Sequence, residues 1–135
     1  MRGRKPELKA IDGGLATAPR APAWLPQEAK DEWRRIIPAL TARRILTETD
    51  MATVESYCLA VGTIRRAQAT IAKEGDTVAT KEGSKRHPAF TTMTQMMAEM
   101  RRLAAELGLT PASRNKAGRP PAGEEGYDAY ADLGV

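Results

Sequence analysis

The chain has 135 residues, room for one modest domain with tails and too few for two ordinary domains. Lys plus Arg number 21 against 17 Asp plus Glu, a net charge of +4 that suits an anionic partner without requiring one. The single cysteine, Cys58, excludes an intrachain disulfide and a multi-cysteine zinc site, and the lack of a signal peptide or a bilayer-length apolar run predicts a soluble, intracellular chain without membrane contact.

Residues 1–25 predict a basic flexible arm, because Gly and Pro break any periodicity there. Within the first nine residues Arg2, Arg4, Lys5 and Lys9 stand against Glu7 alone. Arg2-Gly3-Arg4-Lys5-Pro6 has the form of an AT-hook core, in which Gly lets the backbone sink into a narrow A·T-rich minor groove while Arg reaches its floor. Ala117-Gly118-Arg119-Pro120-Pro121 is a weaker version of the same pattern. Solvated, disordered ends are the plain alternative. Trp24 and Leu25 are expected to pin the arm to the folded part.

The folded part is predicted over residues 26–114 as an all-α unit: an N-terminal helix, then a long antiparallel helical hairpin with a small β-hairpin between its helices. Pro26 suits the first turn of helix one, and Trp33, Ile36, Ile37 and Leu40 fall on one stripe. Pro38 should kink that helix or end it one turn later. Thr47-Glu48-Thr49-Asp50 reads as a capping box, with Leu46 and Met51 placed as a hydrophobic staple. A second helix can run from there to Lys73 or Glu74 and stop at Gly75. Val54, Tyr57, Val61, Ile64, Gln68 and Ile71 form its seam, roughly 36 Å long. Gly62 costs about 1 kcal/mol in that helix yet permits a close helix–helix approach.

After Gly75, Thr77–Thr80 favours a short strand, Glu82-Gly83 a turn and Ser84–His87 a return strand. His87-Pro88 opens helix three, whose apolar face is Met93, Met96, Met97, Met100, Leu103, Ala104 and Leu107, and Gly108 closes it. Residues 115–135 predict a disordered acidic tail, with Glu124, Glu125, Asp128 and Asp132 and no basic residue after Arg119.

A catalytic constellation is not visible. His87 is the only histidine and has no Asp or Glu beside it in sequence to orient it as a base. Cys58 falls within the helix-two pattern and reads as a packed thiol. There is no Gly-rich phosphate loop, and the carboxylates are scattered, so neither an enzyme nor a metal or cofactor site is expected.

Nucleic-acid binding is better supported. Beyond the arm, Arg34, Arg35, Arg43 and Arg44 bracket the junction of helices one and two, where a helix-turn-helix-like corner could meet phosphates. Lys85 and Arg86 make a further basic spot on the hairpin. A solvated basic face is the alternative for both. Aromatics are only 4% of residues, so two seamed helices exceed what a small single-chain core uses. Self-association through Val54, Tyr57, Val61, Ile64 and Ile71 with Met93, Met97, Met100 and Leu107 is the economical explanation, and Val61→Glu should then break the oligomer.

The order and spacing of several short pieces resemble the P27 family of phage terminase small subunits. They are Gly3-Arg4-Lys5-Pro6, Ala23-Trp24-Leu25, Glu32-Trp33-Arg34-Arg35-Ile36-Ile37-Pro38, Leu46-Thr47-Glu48-Thr49-Asp50, Tyr57-Cys58, Lys73-Glu74-Gly75, His87-Pro88-Ala89 and Leu107–Arg114. The resemblance spans roughly residues 2–116. It implies a non-catalytic subunit acting in the host cytoplasm that binds double-stranded viral DNA at the packaging-initiation site. It further implies assembly into a homo-oligomeric ring, and recruitment and regulation of the large ATPase/nuclease subunit. On this chain it assigns Arg2, Arg4, Lys5, Arg34, Arg35, Arg43 and Arg44 to DNA, the two helical seams to the ring, and the tail after Asn115 to the large subunit. The rival readings are a small AT-hook-like DNA-binding regulator, which would be a monomer or dimer, and a helical adaptor that ignores DNA.

Overall fold

A computed structural model describes residues 14–44 and 46–118. The arm residues Arg2, Arg4, Lys5 and Lys9, the acidic stretch from Arg119 onward, and with it most of the second hook-like segment, lie outside the described residues. From Gly14 the chain is tied to the body by two bonds. The Leu15 N–H donates to the Leu46 carbonyl at 2.8 Å, and the Trp33 indole N–H donates to the Pro19 carbonyl at 2.9 Å. Leu25 is buried as expected, but Trp24 is 60% exposed, so the aromatic that anchors this segment is Trp33.

Helix α1 spans Gln27–Ala42, with Pro26 as the residue before its first turn and the Pro26 carbonyl accepting from the Lys30 N–H at 3.0 Å. Its apolar stripe of Ala29, Trp33, Ile36, Ile37 and Leu40 is fully buried. The helix runs one turn past Pro38, whose missing N–H removes one bond from the preceding turn. Arg44 turns the chain with a left-handed φ of 54°.

A 3-10 turn, Glu48–Asp50, leads into helix α2, Met51–Glu74. The Asp50 carboxylate accepts from the Thr47 N–H at 2.8 Å, which satisfies one of the donors a helix start leaves open. Gly75 ends α2 with φ 88°, its N–H donating to the Ile71 carbonyl. Strands β1, Thr77–Thr80, and β2, Gly83–Arg86, pair antiparallel with Thr77 opposite Arg86 and Thr80 opposite Gly83. Helix α3, Pro88–Glu106, then returns along α2. It closes in a Schellman motif: Leu109 N–H bonds to the Ala104 carbonyl and Gly108 N–H to that of Ala105, with Gly108 at φ 70°.

One short helix was not anticipated. Helix α4 spans Pro111–Gly118 and crosses the expected boundary between domain and tail at residue 114. Thr110 and Ser113 cap it reciprocally, each side-chain oxygen accepting the other's backbone N–H at 3.0–3.1 Å. The Thr-Pro-Ala-Ser start signal was present in the sequence, although the Gly, Pro and acidic residues beyond it argued for disorder.

The core sits at one end of the helical hairpin. Leu25, the α1 stripe, Leu46, Val54, Tyr57, Cys58, Ala104 and Leu107 form a single buried cluster, with Val61, Met100, Leu103 and Leu109 packed against it. Gly62 lets α1 and α2 meet closely: a Cβ there would lie 2.9 Å from the Ala29 backbone nitrogen. Of the residues expected on the outward seams, Val54, Tyr57 and Leu107 are therefore spent inside one chain, and Met93 is also buried. Ile64 and Ile71 are half-buried, and Met97 is 38% exposed. A Val61→Glu change would strike the chain's own core, because the seam is continuous with the packing of a single copy.

Candidate nucleic-acid interface

Glu32 sits on the buried stripe of α1, and its side chain is only 1% exposed. A lone carboxylate there would be costly, so it must be ionically and hydrogen-bond satisfied. Arg35, one turn on, donates through Nε to Oε1 and through Nη2 to Oε2, both at 2.6 Å. The Tyr57 hydroxyl of α2 donates to Oε2 at 2.8 Å, and Arg65 Nη2 donates to Oε1 at 3.2 Å. Burial alone would raise the Glu32 carboxyl, but the hydrogen bonds from Arg35 and Tyr57 outweigh it and hold it below its ordinary value. Burial and the contact with Glu32 push the Tyr57 hydroxyl up to about 12. Both effects favour an ionised glutamate and a neutral tyrosine at neutral pH.

This centre joins α1 to α2 and brings two arginines together at the surface. Arg35 and Arg65 remain 64% and 46% exposed although their common partner is inaccessible. Neither Glu32 nor Arg65 is among the residues expected from the sequence to meet DNA. The signal was available: Glu32 lies three residues after Ala29 and four before Ile36, within the apolar stripe, and a charge in that place requires partners.

The other basic residues are placed differently. Arg34 is 70% exposed and faces Asp31 at 3.6 Å. Arg43 donates to the Gly108 carbonyl at 2.6 Å, so it ties the end of α1 to the end of α3. Arg44 is exposed, with no carboxylate partner among the described residues. On the hairpin, Lys85 stands 3.8 Å from Glu82, and Arg86 lies over the Phe90 ring at 5.5 Å. The structure thus joins Arg35 to Arg65 through Glu32, while Arg34, Arg44, Lys85 and Arg86 take no part in that cluster.

His87, which has no carboxylate beside it in sequence, gains one in the fold. Glu74, at the far end of α2, lies 3.0 Å from its Nε2, while Nδ1 accepts from the Ala89 N–H. Folding, not sequence proximity, supplies that partner, and the ring caps α3. Cys58 is fully buried, and burial raises its thiol to about 12, which keeps it protonated. Among the described residues no group of three or more His, Cys, Asp or Glu could hold a metal ion.

A family model described as phage terminase, small subunit, matches residues 29–124, more than two thirds of the chain. The chain belongs to this family. Neither a curated protein nor a solved structure matches it. The match begins inside α1 of this terminase small subunit and takes in Glu32, Tyr57 and the whole helical hairpin. Membership supports a role in phage genome packaging. Among the described residues no helix is long and apolar enough to cross a membrane.

Proposed function

We propose that this chain is a P27-type terminase small subunit that binds double-stranded viral DNA at the packaging-initiation site and assembles into a homo-oligomeric ring. It recruits and regulates the large ATPase/nuclease subunit in the host cytoplasm and carries no catalytic centre of its own. The observation behind assembly is the uneven burial of the helical hairpin. Its core lies where α1 covers α2 and the end of α3, whereas beyond Gly62 only Ala67 and Met93 are buried before Ala104. Ile64, Ile71, Phe90, Met96 and Met97 are left half-covered or exposed on a projection of two helices and a hairpin. A neighbouring copy would cover this face, with methionines adapting to it.

For DNA, the reading rests on the exposed Arg34, Arg35, Arg44, Lys85 and Arg86 on the body and on Arg2, Arg4, Lys5 and Lys9 in the arm. The acidic residues after Asn115 are the contact assigned to the large subunit. Fluorescence anisotropy with duplex DNA across a salt series tests the DNA assignment, because phosphate contacts make affinity fall steeply with salt. The double change Arg2→Ala with Arg4→Ala should weaken binding while the oligomer survives. Absence of binding by the unaltered chain at low salt would instead favour a helical adaptor.

A further inference from the structure

We propose that Arg35 and Arg65, set side by side by the buried Glu32 carboxylate, form a two-guanidinium clamp for a backbone phosphate of duplex DNA. This deepens the DNA-binding reading above and rests on it.

The geometry supplies what such a contact needs. Glu32 Oε1 accepts from both Arg35 Nε and Arg65 Nη2, so the two guanidinium groups lie within the span of two hydrogen bonds. A guanidinium carries five N–H donors. Arg35 spends two on Glu32 and Arg65 spends one, which leaves three and four for a ligand. The carboxylate is 1% exposed and the arginines 64% and 46%, so a ligand meets the cations and not the anion between them. Two positive charges over one negative leave a net charge of one, the complement of a phosphodiester. Arginine's planar fork suits its paired oxygens.

Glu32 and Tyr57 are then positioning residues. They fix the arginines before any ligand arrives, and Tyr57 ties the cluster to the core by donating to Glu32 Oε2. Pre-set side chains lose less freedom on binding than free surface arginines do.

The experiment is anisotropy of a fluorescein-labelled duplex with the full chain at several salt concentrations, with circular dichroism confirming the fold of each variant. Arg65→Gln should reduce the slope of log affinity against log salt by about one per subunit touching the duplex. Arg65→Lys should keep that slope, since the charge remains. Arg102→Gln, which removes a 66% exposed arginine of α3, should leave it unchanged. Glu32→Gln separates positioning from charge: it adds a net positive charge, so general electrostatics predicts tighter binding, whereas the clamp predicts several-fold weaker binding. An unchanged slope for Arg65→Gln, an equal loss for Arg102→Gln, or tighter binding by Glu32→Gln would each overturn the clamp while DNA binding itself stands. No salt-dependent binding by the unaltered chain would overturn the DNA reading and the clamp with it.

Discussion

The Tyr57 hydroxyl donates to Glu32 Oε2 across 2.8 Å, with both residues almost wholly buried, and this bond links α2 to the inner face of α1. A hydrogen bond to a charged acceptor away from water contributes more than a neutral one. Tyr57→Phe should therefore destabilise the fold by about 1.5–3 kcal/mol, read as a lower urea midpoint at unchanged slope. An unaltered midpoint would show that Arg35 and Arg65 satisfy Glu32 without the tyrosine.

The same carboxylate makes stability depend on acid. Its folded-state value lies below the ordinary glutamate value of 4.5, so the unfolded chain takes up the proton first as pH falls. The contribution of Glu32 is fully present above about 4.5 and is lost as pH descends through its lower folded value. Thermal melts across this range should show a steeper acid loss for the unaltered chain than for Glu32→Gln. Parallel curves would remove Glu32 as the cause.

Gly62 faces the α1 backbone, where nothing flexible can yield. In an open helix Gly→Ala would gain about 1 kcal/mol. Here the new methyl would stand 2.9 Å from Ala29 N and 3.2 Å from its Cα, so the helices must separate. Gly62→Ala should lower the melting temperature, with a net cost of about 1–3 kcal/mol. A raised melting temperature would mean that α1 can move away freely.

Thr41 is buried near the end of α1, and its hydroxyl oxygen has no hydrogen-bond partner among the described residues. Valine has nearly the same shape without the polar atom. Thr41→Val should stabilise by about 1 kcal/mol, visible as a higher urea midpoint. Destabilisation would point to a partner for that hydroxyl in the folded chain.

Much of this architecture was legible from local chemistry. The Thr47–Asp50 cap, the stops at Gly75 and Gly108, and the hairpin after Asp76 all follow from backbone requirements that act over a few residues. Which faces a single chain covers was not legible. The α2 pattern runs evenly from Val54 to Ile71, yet α1 is only long enough to bury its first half, so Val54 and Tyr57 entered the core while Ile64 and Ile71 did not. The Glu32 cluster was hidden for a related reason: its partners at positions 35, 57 and 65 come together only once two helices cross. Arg43 likewise reads as a surface cation until the Gly108 carbonyl is placed beside it.

The most direct test of the assembly claim is native mass spectrometry of the purified full chain over a concentration series. The account predicts one closed homo-oligomer, and its loss in Met97→Glu with helical content retained, because a charge placed on the projecting face would be buried unpaired between copies. A chain that stays monomeric at the highest concentration, or a Met97→Glu oligomer indistinguishable from the parent, would contradict it.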